Sequence, residues 1–72
     1  MPVKWRDHIV SRPDVLGGKP RINGTRIPVS LILGHLAAGR TAEDIIKEFP
    51  DLKKKHVAAC LDYASELSEF NK

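Results

Sequence analysis

Arg21-Ile22-Asn23-Gly24-Thr25-Arg26-Ile27-Pro28-Val29 is the stretch on which the fold turns. Its centre, Asn23-Gly24, is a strong short-range hairpin signal, because both central residues of a type I′ turn need positive φ. That predicts two very short strands, near 20–22 and 25–27, closed by Asn23-Gly24. Upstream, His8-Ile9-Val10-Ser11 is a further short extended run that can add to them, giving a ribbon over 8–27. Between them, Arg12-Pro13-Asp14 and Gly17-Gly18-Lys19-Pro20 are breakers. Proline disfavours helix at the residue before it, and glycine permits positive φ. A ribbon this short is barely stable in water and needs helices beneath it, or a second copy of itself.

At Pro28 the pattern changes. A proline suits the first turn of a helix, where its missing N–H costs nothing. Val29, Ile32, Leu33 and Leu36 then repeat at helical spacing, predicting a helix over about 29–38 with Gly39 as its stop. Thr41 reads as an N-cap, with Glu43 and Asp44 in the following turn where negative charge suits the helix dipole. A second, short helix over 42–49 would face the core with Ala42, Ile45, Ile46 and Phe49. Pro50 ends it, and Asp51-Leu52 makes the turn. A third helix over 53–69 carries an apolar stripe of Val57, Cys60, Leu61, Ala64 and Leu67. The expected architecture is mainly α: three helices of the helix-turn-helix kind behind a short N-terminal β-ribbon, in one domain over 1–72.

Seventy-two residues suffice for one domain with a modest core. A domain this small usually needs a staple. The single cysteine, Cys60, rules out an intrachain disulfide and fits a reducing compartment. Oligomerisation is the remaining staple, so a homodimer is expected. No apolar run approaches the roughly 18 residues that span a membrane, and Met1 to Arg12 lacks the apolar core of a signal peptide. The expected location is the cytoplasm.

Nothing in the chain reads as catalytic. His8, His35 and His56 lie far apart without the closely spaced ligand pairs that a structural metal site uses, so no metal or other cofactor is expected. Cys60 sits on an apolar stripe, where a thiol behaves as a small hydrophobe. Gly17-Gly18-Lys19 lacks the spacing of a phosphate loop and reads as a turn. Glu43/Asp44 serve a helix start, and Asp62/Glu66 form a like-charge i, i+4 pair on an exposed face. The chain is expected not to be an enzyme.

The charge pattern points elsewhere. Net charge is +3. Before residue 41 stand Lys4, Arg6, Arg12, Lys19, Arg21, Arg26 and Arg40 against Asp7 and Asp14; after residue 60 stand Asp62, Glu66 and Glu69 against Lys72. A basic face with an acidic tail follows, and a basic face is what nucleic-acid binding requires. The third helix begins Lys53-Lys54-Lys55-His56. Positive charge there opposes the helix dipole by about 0.3–1 kcal/mol per charge, a cost that a phosphate at that end would remove. On a helical wheel Lys55, Ala59 and Asp62 point away from the stripe, so Lys55 and Ala59 could reach a groove. The turn Pro50-Asp51-Leu52 lacks the glycine common in helix-turn-helix units. The pattern by itself leaves DNA binding and a plain packing or interaction domain both open. The candidate DNA contacts are Lys53, Lys54, Lys55, His56, Lys19, Arg21 and Arg26.

The run from Gly17 to Val29, with His8-Ile9-Val10-Ser11 before it and Phe49-Pro50-Asp51-Leu52 after it, resembles the domain-of-unknown-function 433 family, over roughly residues 5 to 66. The resemblance implies a homeodomain-like or winged-helix-like domain, commonly dimeric. It further implies an antitoxin-like protein that neutralises a PIN-like nuclease toxin by direct binding and binds operator DNA. The alternative is a protein-interaction module that binds the toxin without DNA. Where relatives often place a capping threonine, this chain has Lys53; the cap is then lost or passes to Asp51.

Overall fold

The structure, a computed structural model, describes residues 3–70, with side chains described through Ser68. Lys72 and the side chain of Glu69, both part of the acidic-tail reading, lie outside the described residues. The order of elements is a 3₁₀ turn Trp5–Asp7, strand β1 Ile9–Val10, a 3₁₀ turn Leu16–Gly18, strand β2 Arg21–Ile22, and helices α1 Val29–Ala37, α2 Ala42–Glu48 and α3 Lys54–Phe70. The chain is mainly helical, with three helices and a small two-stranded antiparallel sheet.

The sheet corrects the hairpin expectation in part. β2 pairs with β1, Ile9 opposite Ile22 and Val10 opposite Arg21, and 25–27 is not a strand. The reason is local. Thr25 Oγ1 donates to the Ile22 carbonyl at 2.8 Å and accepts the Ile27 amide at 3.0 Å, so the return pairing is reduced to the Ile22 amide on the Ile27 carbonyl at 3.0 Å and an isolated antiparallel bridge between Arg21 and Pro28. The Asn23 amide meanwhile turns to the His8 carbonyl at 2.7 Å. The turn still closes, with the Thr25 amide on the Ile22 carbonyl at 3.0 Å. Only Gly24 of its central pair has positive φ, at 83°. That is the type II signature, since type I′ would need it at Asn23 as well. The Val29 amide donates to the Pro20 carbonyl at 3.0 Å, tying the start of α1 to the ribbon.

The helix ends follow from their residues. Gly39, at φ 89°, lets α1 close in a Schellman motif: its amide reaches the Leu36 carbonyl at 3.0 Å and the Arg40 amide reaches that of His35 at 3.1 Å. Thr41 and Asp44 form a capping box at α2, each side chain accepting the other's amide at 3.1 Å. At the junction of α1 and α2, Glu48 meets His35 at 3.3 Å and Arg40 at 3.4 Å.

The core joins Ile9 and Ile22 of the sheet, Val29 and Ile32 of α1, Ile45 of α2, Leu52, and Val57, Ala59 and Cys60 of α3. Of the residues expected to face it, Ala42, Phe49, Leu33 and Leu36 pack around its edge. Two expectations are corrected. Leu61 and Leu67, assigned to the buried stripe, are 51% and 46% exposed. Ala59, assigned to an outward face, is 0% exposed. Leu52 lies in the turn as expected, its amide on the Phe49 carbonyl at 2.9 Å, and is buried there. The cause on α3 is the N-terminal 3₁₀ turn, which packs on it and shifts its buried face toward Ala59 and Tyr63.

Candidate functional site

The start of α3 is built on Lys53, the residue before its first turn. The Lys53 carbonyl accepts the amides of His56 at 2.9 Å and Val57 at 3.4 Å. The Lys53 amide in turn donates to His56 Nδ1 at 2.8 Å. The lost threonine is therefore replaced by a half-box in which an imidazole supplies the acceptor, and Asp51 is not the cap. Burial first, then the positive charge of His8, Lys55 and Lys53, holds the His56 imidazole below its ordinary pKa. Lys53, Lys54 and Lys55 are exposed. Lys54 Nζ lies 3.6 Å from Glu43 Oε1, a pair open to solvent and screened by salt.

The acidic residues of α3 do not join this site. The Trp5 amide donates to Asp62 Oδ2 at 3.0 Å, and Trp5 Nε1 donates to Glu66 Oε2. Arg6 pairs with Glu66 at 3.2 Å and lies 4.5 Å over the Trp5 ring. Tyr63 meets the Trp5 ring edge-on at 4.9 Å between centroids. The acidic face of α3 is thus the seat of the N-terminal turn. Nothing in the local pattern around Trp5 marks it as an anchor. The signal for it is the like-charge pair Asp62/Glu66, which needs a cation nearby to be tolerated.

Along α3, Lys54, Leu61, Ser65 and Ser68 are exposed at helical spacing with Ala58 half-buried among them, and Asp62, also exposed, borders this stripe. Of the ribbon cations, Arg26 is exposed. Arg21 is half-buried, with Nη1 donating to the Thr25 carbonyl at 3.0 Å and Nε buried without a partner. Lys19 lines a groove of about 360 Å³ with Pro20, Val29, Ser30, Leu33, Tyr63 and Leu67. Tyr63 and Leu67 lie some three turns of α3 beyond the lysines, roughly 14–20 Å along the axis at 1.5 Å per residue. The fold therefore separates Lys19 from Lys53–Lys55. Among the described residues no group of His, Cys, Asp or Glu could hold a metal ion, and no helix is long and apolar enough to cross a membrane.

Residues 9–64 match the family model described as protein of unknown function, DUF433. An uncharacterised protein, y4eO, from Sinorhizobium fredii is 36% identical over 59 residues, which are 82% of this chain and 27% of that protein. The crystal structure of a DUF433 member protein from Anabaena variabilis superposes with a TM-score of 0.81 at 28% identity, over 89% of this chain and 63% of that one. This chain thus spans about a quarter of the curated relative and under two thirds of the crystallised one. A family match across most of the chain, joined to a shared fold, places this chain in the DUF433 family.

Proposed function

We propose that this protein is an antitoxin-like cytoplasmic regulator. It acts as a homodimer that binds a PIN-like nuclease toxin directly and binds operator DNA through the start of α3. In this reading α2 and α3 form the helix-turn-helix pair, and α3 is the helix presented to the groove. The observation that carries it is the disposition of charge on α3. Lys53, Lys54 and Lys55 are exposed together at the helix start, while Asp62 and Glu66 lie about two turns or more farther along and accept hydrogen bonds from Trp5, with Arg6 paired to Glu66. Lys53, Lys54 and Lys55 contact phosphates, and Ala58 and Leu61 are small or apolar enough to lie against base edges.

The test is a titration of the protein with DNA from upstream of its own gene across a salt series. Binding should weaken linearly in log–log form as salt rises. K53A/K54A/K55A should flatten that slope by about 0.9 for each phosphate that the variant no longer neutralises. An unchanged slope in the triple variant would refute the placement at α3.

A second reading, toxin binding without DNA, is favoured by the groove beside α1. Its apolar walls and single cation, Lys19, suit a partner segment with an apolar anchor and a carboxylate. Leu33→Asp should then abolish a complex with the neighbouring PIN-like protein while K53A/K54A/K55A leaves it intact.

A further inference from the structure

We propose that His56 is a proton-operated latch on the first turn of α3, closed while its ring is neutral and released when the ring takes a proton. The geometry is reciprocal. His56 Nδ1 accepts the Lys53 amide at 2.8 Å, and the Lys53 carbonyl accepts the His56 amide at 2.9 Å. This is half of the box that Thr41 and Asp44 make at α2, with a ring nitrogen in place of the Asp44 carboxylate and a backbone carbonyl in place of the Thr41 hydroxyl. A nitrogen that accepts carries no proton, so the closed latch requires the neutral ring protonated at Nε2. A proton on Nδ1 sets one N–H against another and removes the acceptor altogether.

The surroundings work in the same direction. The charged or chargeable groups facing the ring are His8, edge-on at 5.6 Å from the segment before β1, and Lys53 and Lys55 of its own turn. Among the described residues no carboxylate pairs with His56. A protonated ring would therefore stand among positive charges with no counter-ion. Burial and these neighbours hold the imidazole below its ordinary value of 6.5. The latch is thus fully closed above pH 6.5, and its contribution is lost as pH falls through the lowered folded value. The carboxylate of Asp44 keeps the start of α2 closed through the same range, because its own pKa is lowered from 3.8, chiefly by the Thr41 amide. One helix start in this fold is therefore opened by acid below pH 6.5, while the other keeps its carboxylate acceptor to lower pH. The sensitive one carries Lys53, Lys54 and Lys55, so a proton loosens the backbone on which those cations are presented.

The test is amide exchange and chemical shift over Lys53–Val57, followed by NMR from pH 8 to pH 5. It involves no DNA, so it stands or falls independently of the DNA-binding reading. In the natural protein the Lys53 amide should shift and lose protection with a midpoint below 6.5, while the Asp44 amide stays protected. His56→Gln supplies an uncharged acceptor and should keep Lys53 protected throughout. His56→Ala should leave it unprotected at every pH. His8→Asn removes one neighbouring cation and should move the midpoint upward. A Lys53 amide indifferent to pH, or a His56→Gln variant with the same transition as the natural protein, would overturn the proposal. If the alanine variant fails to fold, the glutamine and His8 variants decide it.

Discussion

Cys60 shows how far a single position is set by its surroundings. It is 0% exposed, and burial pushes its thiol up to about 11. A thiolate is the reactive form, so the folded protein should resist alkylation by iodoacetamide near pH 8 and react only on unfolding. Labelling at the rate of a free thiol would mean that α3 opens readily. Ile32, also 0% exposed, is a position of stability. Ile32→Ala should cost about 2–5 kcal/mol by urea denaturation, a large share of what a domain of this size holds in reserve. Ala59 and Leu61 separate by the same measurement. Ala59→Leu should destabilise by about 1–3 kcal/mol because a closed site must expand. Leu61→Ser, at a side chain 51% exposed, should stay within about 0.5 kcal/mol.

Among the elements, the helix starts and the N-terminal turn carry the specific hydrogen bonds. Thr41→Ala removes the acceptor for the Asp44 amide and should cost about 1 kcal/mol in thermal or urea unfolding. The N-terminal 3₁₀ turn depends on α3 for its position. The Glu66 carboxyl is held below its ordinary value of 4.5, first by the Trp5 indole and then by Arg6. A lowered carboxylate pKa means the docking is complete above pH 4.5 and is lost as pH falls through the folded value. Trp5 is the sole tryptophan, so its fluorescence reports the event directly. An acid transition in emission that disappears in Glu66→Gln is the expected result. Emission insensitive to both acid and the substitution would show that the Asp62 bond and the Tyr63 ring contact hold the turn without Glu66.

Across the whole molecule, the ribbon, three helices and N-terminal turn share one apolar interior, and they divide the charge between two ends of α3. The lysines gather at its start. Farther along, Asp62 and Glu66 accept hydrogen bonds from the N-terminal turn, and Arg6 of that turn pairs with Glu66. Releasing the turn removes that counter-charge. Trp5→Ala should therefore weaken DNA binding at low salt even though Trp5 lies away from the lysines, because without the indole anchor Arg6 is no longer held against Glu66 and that carboxylate loses its counter-charge. Affinity unchanged in that variant, measured beside the triple lysine variant, would place the nucleic-acid contact away from the α3 stripe.

Local chemistry was enough for the helices. Apolar repeats, Pro28, Gly39 and the Thr41–Asp44 box placed all three within a residue or so, because each signal acts within one turn of chain. Cys60 in the core and the three exposed lysines were legible for the same reason. The strand partner of Arg21–Ile22 was not. Asn23-Gly24 announces a turn, and the chain beyond it does return to Arg21–Ile22 at Ile27 and Pro28, but the strand that completes the sheet is β1, which lies alongside from the other direction in sequence. The rotation of α3 was equally hidden. A periodic stripe fixes which residues share a face, but burial also depends on what packs against the adjoining face. Here that is Trp5, fifty-seven residues from Asp62 in sequence and 3.0 Å away in space. Only the tertiary structure could bury Ala59, expose Leu61 and bring Trp5 onto the carboxylates of α3, because those outcomes rest on contacts between distant segments that no local pattern encodes.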